Sequence, residues 1–292
     1  MHLFLLFIGL ICSVSSNVAD IESETPSIPH VTITSDPTDI VSQLLLNKRS
    51  QVLTDKLIVF HDHNYPCHSA FLSSFSSVLR EKLLEADSEV NFPERDSIIP
   101  NAALLFQILD YCYGEPFELT LNNMGIVLTL CSSLQLPSLA NPIHKIISEG
   151  FSKPVSLQLK PAEVVQQLYS SVQRDVVMNY KEKSFAISSL TLISVSEYFK
   201  NLLPLNFSHS EEMIFAYDQE FPDVSAPNFE IFVNYFHGKS FVLDVDNVID
   251  FYQLTVFFQV EKVKQACNSF VSTLSSAEDI LFCSKLFRNG TF

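Results

Sequence analysis

The sequence predicts an α+β fold that is built twice in tandem. The chain of 292 residues is 47% hydrophobic and 17% charged. This composition is typical of packed globular domains, and at roughly 150 residues per domain the length suits about two. Ala103–Leu139 also aligns without a gap to Pro227–Val263, at an offset of 124 residues, and seven of the 37 paired positions are identical where chance gives about two. So long a period indicates a duplicated domain and not a solenoid.

Each copy has the same predicted order of elements. A β-branched stretch, Leu57–Phe60 in the first copy and Val176–Met178 in the second, turns back into a short second strand, which is the pattern of a hairpin. An apolar helix with spacings of three and four follows, and then a third strand. A helix, a loop and two more helices complete the copy.

Glycine and asparagine mark the ends of the predicted helices. Gly114 and Gly238 suit the left-handed residue that ends a helix. After the loop, the next helix begins near Asn122-Asn123 in the first copy and near Asp246-Asn247 in the second, where an Asn or Asp side chain can accept from free backbone N–H groups. The sequence therefore predicts an N-cap at each of these helix starts.

The two copies also predict how the chain is divided. We expect the first domain over residues 51–150 and the second over residues 175–275. A helical linker over residues 151–174 joins them, because Pro161 opens an amphipathic stretch. Residues 17–50, rich in Ser, Thr, Pro and acids, predict a loose leader. Residues 1–16 form a signal-like segment, and residues 276–292 a C-terminal tail.

Five motifs recur in the same order in both copies. The first copy has Asp55, Tyr65-Pro-Cys-His68, a helix from Phe71, Tyr111-Cys-Tyr-Gly114 and Leu134-Gln-Leu136. The second copy has Asp175, Phe185-Ala-Ile-Ser188, a helix from Leu192 to Leu203, Tyr235-Phe-His-Gly238 and Phe258-Gln-Val260. This ordered set, found twice, resembles the BTB/POZ domain family. The family's usual His-Lys is His68-Ser69 here and Ser188-Ser189 in the second copy, which puts the role of that basic position in doubt.

The resemblance implies a helical bundle flanked by a short β-sheet in each domain. It also implies protein–protein interaction, and because BTB/POZ domains commonly pair, the two copies are expected to pair within one chain or with another chain. We therefore predict a non-catalytic scaffold or adaptor with protein partners. A narrower form is a substrate adaptor of a cullin-type ubiquitin ligase. No enzyme activity, catalytic residue, cofactor or metal is expected.

Charge and hydropathy exclude other partners. The net charge of −15 and the pI near 4.8 argue against nucleic acid, because binding to phosphates depends on Lys and Arg. The apolar run Leu3–Val14 is too short to span a bilayer. No membrane span is therefore predicted.

Two side-chain groups invite a chemical interpretation and are assigned to structure instead. His61-Asp-His63 with Cys67 and His68 has the residue types of a zinc site. The second copy has Lys181-Glu-Lys183 where the first has His61-Asp-His63, which favours a charged turn. A Cys67–His68 catalytic pair is disfavoured because neighbours on a strand point to opposite faces. Cys67, Cys112 and Cys267 align with Ile187, Phe236 and Ile143, so packing is expected.

Two further clusters are assigned to ordinary surface and core. Glu81, Glu85, Asp87 and Glu89 are expected to form a solvated acidic surface and not a paired-carboxylate site. The Phe-rich helix Phe251–Val260 is either a partner-binding face or a core helix, and we favour the core.

The cellular compartment that the sequence predicts depends on how the amino-terminal residues are interpreted. We expect a cytoplasmic protein, because loss of Cys12 with a cleaved signal would leave five cysteines, an odd number that fits a disulfide framework poorly. The alternative is a secreted or lumenal protein of unknown activity, for which an unrecognised hydrolytic activity is one option. Leu3–Val14 and the glycosylation sequons at Asn206 and Asn289 are consistent with that alternative.

Overall fold

The computed structural model describes residues 30–60, 63–92, 102–170, 174–203 and 212–274. Within them one series of elements occurs twice, and the predicted α+β class is confirmed. The first copy consists of β1 (Val31–Ile33), α1 (Pro37–Arg49), β2 (Lys56–Phe60), β3 (His63–Cys67), α2 (Ser69–Ser73), α3 (Ser77–Glu85), β4 (Glu89–Asn91), α4 (Ala102–Cys112), β5 (Phe117–Leu119), α5 (Met124–Ser133) and α6 (Pro137–Ser148). The second copy consists of β6 (Val155–Leu157), α7 (Pro161–Ser170), β7 (Val176–Tyr180), β8 (Lys183–Ile187), α8 (Ser189–Val195), α9 (Glu197–Leu202), β9 (Met213–Ala216), α10 (Ala226–Phe236), β10 (Phe241–Leu243), α11 (Val248–Phe257) and α12 (Glu261–Thr273).

A three-stranded sheet lies in each copy. The central strand, β2 or β7, pairs antiparallel with the next strand of the hairpin, β3 or β8. On its other side it pairs parallel with β4 or β9. Alternate residues of the central strands are buried against the helices, among them Ile58, Phe60, Met178 and Tyr180. The predicted hairpins and third strands are thus present in both copies.

The apolar helix predicted in each copy is divided in two by a serine. Ser76 and Ser196 cap α3 and α9, because each hydroxyl accepts from the backbone N–H three residues on, at 3.0 and 3.2 Å. Each hydroxyl also donates to a carbonyl just after α5 or α11, that of Leu134 or Phe258. The serines therefore start a new helix and tie it to the rest of the bundle.

The motif glutamines and glycines hold the backbone turns between helices. Gln135 and Gln259 have positive φ angles of 49° and 52°, and they join α5 to α6 and α11 to α12. Gly114 and Gly238 have φ angles of 91° and 77°, directly after α4 and α10. The left-handed glycines predicted from the sequence are confirmed.

The two asparagines act differently from the prediction. The Oδ1 of Asn123 accepts from the N–H of Thr120 at 2.8 Å, and that of Asn247 accepts from the N–H of Asp244 at 3.0 Å. Neither side chain caps the following helix. They instead hold the turn that follows β5 in the first copy and β10 in the second. Both of these strands lie in a segment that the sequence predicted to be a loop. Asn123 and Asn247 occupy the N-cap positions, so the predicted helix starts are confirmed, whereas the predicted side-chain hydrogen bond to the helix was wrong.

The loose leader predicted over residues 17–50 is wrong from residue 31 onward. Val31–Ile33 is a strand, and Pro37–Arg49 is a helix of 13 residues. Asp36 caps this helix by accepting from the N–H of Thr38 at 2.9 Å, and Pro37 occupies its first turn. Its buried face is Ile40, Val41, Leu44 and Asn47. The signal-like segment 1–16 and the tail 276–292 lie outside the described residues.

The predicted linker is the beginning of the second copy. Pro161–Ser170 is helical as predicted, and the strand Val155–Leu157 precedes it. This strand and helix repeat the order of β1 and α1, so α7 is the counterpart of α1. The segment supplies elements to the fold and does not act only as a spacer.

Two small sheets join the copies reciprocally. β1 of the first copy pairs antiparallel with β10 of the second, which puts Thr32 opposite Val242. β6 of the second copy pairs antiparallel with β5 of the first, which puts Ser156 opposite Glu118. The helices α1 and α7 pack on each other, and α1 also packs on α8. Of the two pairings that the sequence left open, the structure shows the one within the chain.

Candidate interaction surfaces

One close contact between the copies lies at Gly114. A Cβ atom at this position would lie 3.1 Å from Cγ1 of Val41 on α1 and 3.3 Å from Cγ2 of Val164 on α7. Val164 is fully buried. The turn after α4 thus meets both α1 and α7, and glycine is favoured there by its positive φ and by the limited space.

A second close contact lies at Gly238, the counterpart of Gly114. A Cβ atom there would lie 2.7 Å from Cδ2 of Tyr169 and closer still to Cε2. The ring of Tyr169 occupies the space that a larger residue would need. The end of α10 and the end of α7 are therefore fitted to each other through one glycine and one tyrosine.

An ion-pair cluster links the last described helix to the first. Nζ of Lys262 on α12 lies 2.6 Å from the carboxylate of Asp39 and 3.4 Å from that of Asp36. The counterpart of Lys262 in the first copy is Ser138, at the same offset of 124 residues as the repeat. The first copy has no lysine at this position, so the cluster distinguishes the two ends of the paired copies.

Acid is expected to weaken this cluster. The pKa of Asp36 lies below its ordinary value of 3.8, chiefly because the N–H of Thr38 donates to it and also because Lys262 is near. A carboxyl with a lowered folded-state pKa stabilises the fold above its unfolded pKa, and this stabilisation is lost as the pH falls through the folded-state pKa. In Lys262→Ala, carboxyl-carbon NMR titration should show the pKa of Asp36 moving towards 3.8 while remaining below it. An unchanged pKa would show that the ion pair does not form in solution.

The aspartate that opens the first motif holds the helix after the hairpin. In the second copy, Asp175 accepts from the N–H and the hydroxyl of Ser189, each at 2.7 Å. In the first copy, Asp55 accepts from the N–H of Ser69 at 2.7 Å and from its hydroxyl. The aspartate and serine are thus a structural pair in both copies, which explains why Asp55 and Asp175 align.

Loss of this pair is expected to destabilise the fold. Asp175→Ala leaves the buried N–H of Ser189 without its carboxylate, and hydrogen bonds to charged groups contribute about 1.5–3 kcal/mol each. We expect the free energy of unfolding to fall by about 2–4 kcal/mol in urea titration. The exposed Asp223→Ala is the control and should stay within about 0.5 kcal/mol of the wild type. An equal loss in both variants would contradict the structural role of Asp175.

The histidine of the hairpin is a buried structural residue. Nε2 of His68 lies 3.0 Å from the carbonyl of Val52, and Nδ1 lies 3.1 Å from the hydroxyl of Tyr113. Because a carbonyl oxygen can only accept, Nε2 carries a proton. Both ring nitrogens therefore tie the end of the hairpin to the segments that follow α1 and α4. His63 is exposed in β3, and His61 and Asp62 lie outside the described residues.

The described cysteines are packed in the core, and the packing prediction for Cys67, Cys112 and Cys267 is confirmed. With Cys131 they are buried free thiols. Burial raises the pKa of Cys131 and of Cys267 to about 12 and also raises that of Cys67 and Cys112. A buried thiol with a raised pKa is a poor nucleophile at neutral pH. In the part of the chain that the structure describes, no three His, Cys, Asp or Glu side chains cluster as metal ligands.

The acidic and Phe-rich clusters also lie where the sequence placed them. Glu81, Glu85, Asp87 and Glu89 are all exposed. On α11 and the turn after it, Phe251, Leu254 and Phe258 are fully buried. The Phe-rich helix is a core element, and the interpretation as a partner-binding face is not supported.

Two of the surface clefts formed by the described residues adjoin α1. One, of about 300 Å³, lies between the start of α1 and α7 and reaches Tyr169 and Gly238. The other, of about 400 Å³, lies between α1 and α4. In the second cleft Lys48 pairs with Asp110 and Arg49 pairs with Glu115, so its charges are neutralised within the chain.

No helix in the described ranges has both the length and the apolar character needed to cross a membrane.

Sequence reasoning did not single out the residues that matter for pairing, which are Val41, Val164, Tyr169 and Lys262. Val41, Val164 and Tyr169 lie on α1 and α7, the two helices that pack on each other, and Lys262 pairs with carboxylates at the start of α1.

Comparison with known families agrees with this architecture. The BTB/POZ domain model matches the chain twice, over residues 45–150 and 165–275, which together are more than half of it. The matches begin before the predicted starts at 51 and 175 because they include the ends of α1 and α7. A search of curated proteins found no match. BTB/POZ domains are protein-interaction domains and not catalytic ones. The chain belongs to the BTB/POZ domain family and carries two such domains in tandem.

Proposed function

We propose that this protein is a non-catalytic interaction scaffold or adaptor that works as a pair of BTB domains within a single chain. The observation that supports this most is the reciprocal strand exchange, β1 with β10 and β6 with β5. Each copy supplies a strand that pairs with the other copy, so the strand edges β5 and β10 are already paired within the chain. Partners are then left with the outward faces, where the two copies differ.

The residues of the first hairpin support a non-catalytic role. Cys67 is buried with a raised pKa, and both ring nitrogens of its neighbour His68 are held by Val52 and Tyr113. A catalytic Cys–His pair needs an accessible thiolate and a histidine that can exchange protons. These two side chains have neither property.

Light scattering and reconstitution test the proposal together. Purified full chain should have the mass of one chain, 33.0 kDa, over a hundredfold range of concentration, because its pairing surfaces are occupied. Proteins cross-linked to it in cells, once purified, should include at least one that forms a stoichiometric complex with it. A chain that forms a stable dimer of 66 kDa, or that recombines with none of the captured proteins, would contradict the proposal.

A narrower form of the proposal is an adaptor for a cullin-type ubiquitin ligase, which rests on the family alone. Size-exclusion chromatography of the full chain with a purified cullin amino-terminal domain tests it. Co-elution would support the adaptor, and separate elution would remove it while leaving the scaffold in place.

We also propose that the scaffold acts in the cytoplasm. The cysteines Cys67, Cys112, Cys131 and Cys267 are free thiols, as is usual where thiols are kept reduced. Amino-terminal sequencing of the protein made in its own cells decides the question. An intact Met1 supports the cytoplasm, whereas cleavage near Ser16 would place the protein in the secretory pathway.

A further inference from the structure

The strand β9 lies at the edge of the three-stranded sheet in the second copy. The N–H of Met213 donates to the carbonyl of Asp175 at 2.8 Å, and that of Tyr217 donates to Asn179 at 3.0 Å. Because the main-chain groups of successive strand residues point to opposite sides, those of Ile214 and Ala216 point away from β7. Among the described residues β9 pairs with β7 alone. Two N–H and two C=O groups therefore face outward along this edge.

The first copy protects the same edge, and the second does not. At the outward positions β4 carries Glu89 and Asn91, both exposed, and a charged side chain at a strand edge discourages pairing with another strand. β9 carries Ile214, which is 63% exposed, and Ala216. The difference lies at equivalent positions of two copies that share one fold, so the fold itself does not require an apolar edge.

The apolar edge continues a row of side chains across the sheet. Ala186 on β8 is opposite Val177 on β7, and Val177 is opposite Ile214 on β9. In the first copy the same row is Pro66, Leu57 and Glu89. A strand added beyond β9 would extend the apolar row with its own residue opposite Ile214.

The charges at the ends of β9 are negative. Glu212 directly precedes the strand, and Asp218 follows Tyr217; both are exposed. Lys181 and Lys183 lie at the turn between β7 and β8. Nζ of Lys181 donates to the carbonyl of Val224 at 2.5 Å, and Lys183 pairs with Glu230. Asp218 accepts from the backbone N–H of Lys181 at 2.6 Å and keeps its negative charge. A segment that pairs with β9 therefore meets an exposed carboxylate near each of its ends.

We propose that β9 is a docking edge for an extended segment of a partner protein, an apolar β-branched stretch flanked by Lys or Arg. The segment adds a fourth strand to the sheet and exchanges main-chain hydrogen bonds with Ile214 and Ala216. This inference rests on the proposed scaffold function and names the class of partner. A second copy of the chain fits less well. Antiparallel pairing of two β9 strands, with Ile214 opposite Ala216, would place Glu212 opposite Asp218, and like charges directly opposite are unfavourable.

Two synthetic peptides test the proposal, Lys-Arg-Val-Thr-Val-Thr-Val-Arg-Lys and the same core flanked by Glu and Asp. Fluorescence anisotropy with the full chain should show the basic peptide binding roughly tenfold more tightly or better than the acidic one. Backbone NMR should show the amides of Ile214 and Ala216 shifting and exchanging more slowly with solvent. In Ile214→Glu, which copies Glu89 of the first copy, binding should weaken by about tenfold or more.

Leu84→Glu is the matched control, because Leu84 is 70% exposed on α3 of the first copy. It should leave binding unchanged. Should Ile214→Glu not fold, Ile214→Thr keeps the β-branched shape and should weaken binding by about threefold.

Three results would overturn the docking edge: no binding of the basic peptide, equal binding of both peptides, or unchanged binding in Ile214→Glu. A dimer that Ile214→Glu abolishes would also overturn it, because the occupant would then be a second copy. These failures differ from failure of the scaffold. If Ile214→Glu still recombines with every purified partner, the edge proposal fails and the scaffold stands.

Discussion

Gly238→Ala is expected to lower the free energy of unfolding by about 2–5 kcal/mol. An alanine at a φ angle of 77° costs about 1–2 kcal/mol, because its Cβ approaches the following carbonyl. The new methyl group would also meet the ring of Tyr169 within van der Waals distance, and overpacking typically adds about 1–3 kcal/mol. Urea unfolding followed by circular dichroism measures the change.

Gly125→Ala is the control for this variant. Gly125 lies in α5, and a Cβ atom there would meet nothing within 4 Å. Alanine is favoured over glycine in helices by up to about 1 kcal/mol, so this variant should be as stable as the wild type or more stable. The double variant Gly238→Ala/Tyr169→Leu should recover the part of the lost stability that is due to overpacking. The first copy has a leucine, Leu45, at the position equivalent to Tyr169. Equal stability of Gly238→Ala and Gly125→Ala would contradict the close contact.

Val164→Asp is expected to separate the two copies or unfold the chain. Val164 is fully buried where α7 meets α1 and the turn at Gly114. A carboxylate at this position would be buried without a partner, which costs about 3–5 kcal/mol. We expect the melting temperature to fall, and small-angle scattering to show a larger radius of gyration if the copies remain folded.

Gln166→Asp places the same carboxylate on the exposed side of the same helix. It should change the free energy of unfolding by less than about 0.5 kcal/mol. Val164→Ala removes apolar volume without adding charge and should give an intermediate loss. If Val164→Asp were as stable as Gln166→Asp, α7 would not be packed against the first copy in solution.

The sequence predicted the repeated part of the fold well, because its signals are local. A β-branched hairpin, an apolar helix and a glycine at the helix end each depend on residues near one another, and Gly114 and Gly238 have the predicted left-handed backbone. The strands β5 and β10 were missed for the opposite reason. Each has three residues and is stabilised by a partner far away in the chain, β6 for β5 and β1 for β10.

The start of the first copy was missed although a signal was present. Residues 31–46 align without a gap to residues 155–170, at the same offset of 124 as the rest of the repeat. Five pairs are identical: Val31/Val155, Pro37/Pro161, Val41/Val165, Gln43/Gln167 and Leu44/Leu168. The polar composition around this stretch suggested a leader, whereas the alignment shows that leader and linker are the same strand and helix.

The interaction surfaces could be predicted only by comparing the copies in three dimensions. The burial of Cys67, Cys112 and Cys267 could be predicted because each aligns with an apolar residue of the other copy, and apolar residues are the ones most often buried. The exposed edge at Ile214 did not follow, because an isoleucine in a strand pattern is usually taken as core. Only the sheet register, which places Ile214 where the first copy has Glu89, shows that it faces solvent.

Cysteine cross-linking across the exchanged strands tests the pairing of the copies within one chain most directly. Thr32 and Val242 are directly opposite in β1 and β10, and Glu118 and Ser156 are opposite in β5 and β6. Opposite residues of antiparallel strands have Cα separations that a disulfide can bridge. After oxidation of Thr32→Cys/Val242→Cys and of Glu118→Cys/Ser156→Cys, we predict cross-linked chains of 33.0 kDa at every concentration, with peptide mapping that joins the two new cysteines. Covalent dimers of 66 kDa, or no cross-link between these positions, would contradict the account.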